Sequence, residues 1–181
     1  MIKVEEVEGG IYMSDIATIS VESKIENIID LYEHIRVNFD NTSILESLGK
    51  VCPETSRYTI IGVLTDEILY EEKDRFYLKA KNCLSEVDWI EVLDQWVDFQ
   101  NDDNLSPLQL GAIGYIGYEN KTFFEKLDKK IKRDTEFPRI FLVKYKLLFV
   151  WDRVEDKGSW IYQERILEEE IKKIEIGRAH V

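Results

Sequence analysis

The residues whose type and spacing could do chemistry begin with Gly111, Gly114 and Gly117, three apart in a run that ends at Tyr118. Glycines so spaced can cradle a phosphate, but only as a turn between a strand and a helix N-terminus, with Lys and Ser or Thr to hold the anion. Here they sit among apolar β-formers and are followed by Glu119 and Asn120, which predicts close backbone packing inside a sheet instead. Cys52 and Cys83 lack a paired Cys-x-x-Cys and a nearby histidine, so they read as reduced thiols, neither a disulfide framework nor a metal site. His34 reads as a boundary histidine with no second ligand near it. Trp89 and Trp96 read as core aromatics at helical spacing. The chain has no nucleophile elbow, no zincin or P-loop signature and no clustered His/Cys/Asp set.

The elements that must position these residues follow from periodicity. Residues 11–20 are compatible with a strand. Ile25, Ile28, Ile29, Tyr32 and Ile35 recur at helical spacing, which predicts an amphipathic helix over 22–36, opened by a capping box of Ser23 and Glu26. Residues 43–47 and 57–63 read as two short strands joined by an excursion. Residues 67–72 and 75–81 read as a hairpin about Lys73-Asp74, charged enough to lie at a sheet edge.

A second helix is predicted over 86–100, introduced by Ser85, with Val87, Ile90, Leu93 and Val97 on one stripe. A short helix over 123–133 and a connector closed by Pro138 lead to an apolar run over 139–151, either a buried strand pair or one long bent strand. Asp156-Lys157-Gly158 is a hairpin turn into 159–162, and a charged helix follows over 164–174. Strands and helices mix without a βαβ period, so the predicted class is α+β (mixed α/β), a largely antiparallel sheet with flanking helices.

Size and charge bound the function. The chain has 181 residues, 44% of them hydrophobic, enough for one good core. A formal net charge of -12 repels phosphate backbones and anionic lipid, so neither nucleic acid nor a membrane is an expected partner. No window approaches the roughly 20 apolar residues that span a bilayer, and no basic start precedes an apolar segment, so a cytoplasmic protein is expected.

Three ordered segments go further: Ile44-Leu45-Glu46-Ser47, then residues 57–62 (Arg-Tyr-Thr-Ile-Ile-Gly), then residues 111–118 ahead of Phe124-Glu125. The set resembles the N-terminal region of anthranilate synthase component I, whose pattern runs LLES, RYSFIG and GGAVGYLGYD with a nearby FE. Pro138 through Phe149-Val150-Trp151-Asp152 is similar to that family's strand ending in VFD, and the likeness covers roughly residues 40 to 155. Leu110 stands where the family has the first glycine of its pair, and Glu119 where it has aspartate.

The resemblance implies the N-terminal part of a larger two-layer enzyme that converts chorismate and ammonia to anthranilate and pyruvate. It implies magnesium and a glutamine amidotransferase subunit for the full-length enzyme, and feedback by L-tryptophan. Glu46 and Ser47 would then lie at the inhibitor pocket, where an ammonium entering a desolvated site needs matched acceptors. Residue chemistry alone is equally compatible with their ending a strand at the surface.

The family's catalytic and magnesium-binding residues lie in its chorismate-binding domain, so no catalytic residue is expected in this chain. Residues 176–181 match one reading frame of a common sequencing adapter; the expectation is one domain over 1–175, with the chorismate-binding domain missing beyond it. Three alternatives stand beside this reading: the component I of aminodeoxychorismate synthase, a stand-alone amino-acid-binding module, and a structural interaction domain.

Overall fold

The computed structural model describes residues 16–21, 27–47, 49–97, 111–121 and 137–163. The chain divides into two compact units, one holding residues 1–65, 105–110 and 145–181, the other 66–104 and 111–144. Among the described residues each unit carries one α-helix and one five-stranded sheet, and the class is α+β as the sequence predicts.

In the first unit, β1 (Ile16–Val21), β2 (Ser43–Leu45), β3 (Tyr58–Gly62), β9 (Leu147–Asp152) and β10 (Lys157–Gln163) form a sheet of order β1-β10-β9-β3-β2, antiparallel throughout. Helix α1 (Ile28–Asn38) lays Leu31 and Ile35, one turn apart, on Ile61, Val63, Leu147, Phe149, Trp151 and Trp160. Phe149 and Trp160, directly paired across β9 and β10, meet edge to face with centroids 4.9 Å apart.

α1 begins later than the Ser23 capping box predicts. Asn27 holds an extended backbone (φ -143, ψ 116), and its Oδ1 accepts the Ile29 N–H at 3.0 Å, so one orphan donor of the first turn is met there. Ser23 itself lies outside the described residues, as do the predicted helices over 123–133 and 164–174 and the segment 176–181.

The second unit orders its strands β6-β5-β4-β8-β7, with β4 (Thr65–Glu72), β5 (Arg75–Ala80), β6 (Cys83–Glu86), β7 (Ala112–Ile116) and β8 (Ile140–Tyr145). The predicted hairpin is present: Glu72 faces Arg75, and Lys73 and Asp74 both take positive φ (50 and 63), the backbone of a turn whose twist matches its strands. Its predicted edge position is wrong. Residues 83–86 pair with β5 and take the edge, which also delays α2 (Trp89–Val97) to a start where Asp88 Oδ1 accepts the Ile90 N–H at 2.8 Å. Trp89 and Val92 of α2 pack on Leu69, Phe76, Ile140 and Leu142.

The apolar run over 139–151 is two strands in two different sheets. β8 ends and β9 begins across Lys146, and the units divide just before, between Lys144 and Tyr145, so Tyr145 counts with the first unit. Tyr145 is fully buried; its hydroxyl donates to the Asn41 carbonyl at 2.7 Å and lies 2.6 Å from Ser43 Oγ, and burial pushes it above its ordinary pKa. Its ring fills the space above Gly62, where a Cβ would come within 2.5 Å of Cε2. Gly62→Ala is therefore an overpacking change that should destabilise the chain by about 1–3 kcal/mol. A urea melt whose midpoint matched the parent would contradict this.

Candidate functional site

A pocket of about 270 Å³ opens on the first unit. Asn27 and Ile28 at the start of α1 form one side and Thr59 of β3 and Trp151 of β9 another. Glu46, just past β2, and Arg153 and Asp156, in the turn from β9 to β10, supply its charges. Five stretches of chain meet there because the sheet register sets Thr59 opposite Trp151 and Ile61 opposite Ile44. Side chains alternate along a strand, so Thr59 shares the face of Ile61 that α1 covers, and Glu46 continues the face of Ile44.

The corner that shapes this pocket is ionic. Arg57 Nε and Nη2 both donate to Asp152 Oδ2, at 2.9 and 2.7 Å, and Nη2 also reaches Glu155 at 3.4 Å. The Asp152 Oδ1 atom accepts the N–H groups of Val154 and Glu155 and so closes the turn after β9. The Arg57 hydrogen bonds hold the Asp152 carboxyl below the usual carboxylate range, and Asp152 in turn raises Arg57.

Arg153 then ties the chain on the far side of the corner. Its backbone N–H donates to the Arg57 carbonyl at 2.8 Å. Its guanidinium donates to the carbonyls of Ser47 (2.6 Å), Gly49 (3.1 Å) and Ser56 (3.3 Å). Within the excursion Ser56 Oγ accepts the Cys52 N–H at 2.8 Å and donates to the Lys50 carbonyl at 3.1 Å.

Of the two residues singled out by sequence, Glu46 is exposed and lines the pocket. Ser47 is half-buried beside it, its carbonyl held by Arg153, and is not part of the lining. Thr59, Arg153, Asp156 and Asn27 were not legible as site residues. Period-2 alternation from Ile61 back to Thr59 was the available signal, but it needs the position of α1 to acquire meaning.

The glycine run does what the sequence predicts. A Cβ on Gly114 would lie 1.9 Å from the Phe141 carbonyl oxygen, so β7 approaches β8 more closely than a side chain allows. Past its end the Arg139 carbonyl accepts from Gly117 N (2.6 Å) and Asn120 Nδ2 (2.7 Å), and the Arg139 N–H donates to the buried Glu71 carboxylate at 2.9 Å. Trp89 is buried in the second core, while Trp96 lies at its margin and donates Nε1 to Glu67 at 2.8 Å. Cys52 and Cys83 are free thiols. Among the described residues no group of three His, Cys, Asp or Glu is placed to hold a metal ion, and no helix is long and apolar enough to cross a membrane.

The likeness read from the ordered segments extends to known proteins. The chain is 24% identical over 155 residues to anthranilate synthase component 1 of Lactococcus lactis subsp. lactis (strain IL1403), a match spanning 77% of this chain and 31% of that protein. Its fold is similar to that of anthranilate synthase component I from Streptococcus pneumoniae TIGR4, with a TM-score of 0.54 at 19% identity, over 94% of this chain and 36% of that one. The chain thus spans about a third of the length of the relatives it matches. No family model matches it.

Because the Asp152 pKa is lowered by folding, its contribution is complete above the unfolded carboxyl value of about 3.9 and is lost as the pH falls through the lower folded value. Asp152→Asn should therefore lower the urea midpoint at pH 7, and its deficit relative to the parent should shrink toward pH 2. A deficit that stayed constant over that range would contradict the assignment.

Proposed function

We propose that the chain is the regulatory and structural portion of an anthranilate synthase component I, the enzyme that turns chorismate and ammonia into anthranilate and pyruvate, and that its pocket is part of the tryptophan feedback site. The observation that carries this reading is the pocket itself. Glu46, from the segment that resembles the family's LLES, stands at a mostly polar cavity whose lining also includes Trp151, Ile28 and a second carboxylate, Asp156. A free amino acid presents an ammonium that is matched by carboxylates and an apolar body that is matched by an indole and an aliphatic side chain.

Magnesium and the glutamine amidotransferase subunit belong to this proposal at the level of the longer enzyme, and no described residue is assigned to either. Regulation and chemistry are then separable in the polypeptide. The purified chain should form no anthranilate from chorismate, ammonium and magnesium; anthranilate fluorescence above a no-protein control would contradict the assignment of the chemistry elsewhere.

The feedback reading is tested by calorimetric titration with L-tryptophan. The chain should bind it, and Glu46→Gln should weaken binding by about 10-fold or more, as expected for losing a charged hydrogen bond. Unchanged affinity in the variant, or no binding by the parent chain, would overturn the reading.

A further inference from the structure

Thr59 is 1% exposed, and its Oγ1 is buried without a hydrogen-bond partner, a costly state for a hydroxyl that a strand position could fill with valine. It lies on the helix-covered face of β3, at the inner side of the pocket that opens beside the first turn of α1. An anion seated there meets the positive end of the α1 dipole and the N–H groups of its first turn, of which Asn27 caps that of Ile29. Arg153, the cation of the lining, directs both terminal guanidinium nitrogens at backbone carbonyls and so serves the wall before it serves a ligand.

We infer that Thr59 is a specificity-determining residue of this pocket: its hydroxyl donates to the carboxylate of an α-amino acid whose carboxylate sits at the N-terminus of α1. The ammonium is then matched by Glu46 and Asp156 of the same lining, so each end of one zwitterion meets opposite charge. The inference rests on the amino-acid reading proposed above and adds to it the residue that recognises the carboxylate. No described protein group bonds this hydroxyl, so a carboxylate seated in the pocket would supply its partner.

The test uses the whole chain and two probes, L-tryptophan and tryptamine, which keeps the indole and the amine but lacks the carboxylate. The parent should bind L-tryptophan more tightly than tryptamine. Thr59→Val should weaken L-tryptophan binding by about 10-fold or more, leave tryptamine unchanged, and melt at the same or a higher temperature. Thr59→Ser, which keeps the hydroxyl, should retain the preference. The inference is overturned if Thr59→Val binds L-tryptophan as the parent does, loses both ligands equally, or melts lower. If Glu46→Gln loses binding while Thr59→Val keeps it, the carboxylate role of Thr59 fails and the amino-acid reading survives. If the parent binds neither ligand, the amino-acid reading fails and this inference falls with it.

Discussion

The pairing of Arg57 with Asp152 is the interaction on which the first unit's working end depends. It locks the entry of β3 to the exit of β9 in the register that sets Thr59 opposite Trp151. The same carboxylate closes the turn that carries Arg153, and Arg153 reaches back to Ser47, Gly49 and Ser56. A chain excursion of several residues between β2 and β3 is thereby held by one guanidinium, and Glu46 is brought to the pocket by a contact it does not itself make. An ion pair at a partly exposed sheet end adds little to stability by itself. Its role here is positional, since each oxygen of Asp152 and each end of Arg153 fixes a different stretch of backbone.

Close approach is the second constraint. Gly62 leaves room for the Tyr145 ring, and Gly114 lets β7 come against Phe141. In both places the absent Cβ is the structural content of the residue, and the two positions belong to the segments by which the chain resembles anthranilate synthase component I. Arg57 and Asp152 come from two of those segments as well. The ordered motifs are thus largely instructions for joining strands, and Glu46, Thr59 and Trp151 are the members of them that reach the cavity.

Local features were readable from the chain. The Lys73-Asp74 turn, the strand character of 57–63 and the packing role of the glycines follow from propensity and alternation over a few residues, whereas the turn before β10 falls at 153–156, and Lys157 and Gly158, read from the sequence as turn residues, pair with Asp152 and Trp151 instead. Partner choice was not. Period-2 alternation identifies a strand without naming its neighbour, so 139–151 gave no sign of passing from one sheet to the other at Lys146, and 83–86 looked like the lead-in to a helix until β5 claimed it. The site was half legible for the same reason. Glu46 was singled out from its motif, whereas Thr59, although in another of the segments, and Arg153 and Asp156 acquire a common place only when α1 covers β3 and the β9–β10 turn closes on the pocket.

The chain's net charge of -12 works against an anionic ligand, and the pocket answers locally with a helix N-terminus and a buried hydroxyl beside two carboxylates that suit an ammonium. Amide-resolved NMR of the chain titrated with L-tryptophan tests that arrangement most directly. Perturbations centred on Asn27, Ile28, Glu46, Thr59 and Trp151, with those of Leu69, Phe76 and Val92 in the second unit unmoved, are the result the account predicts. Saturable shifts centred on the second unit, with the pocket amides unchanged, would contradict it.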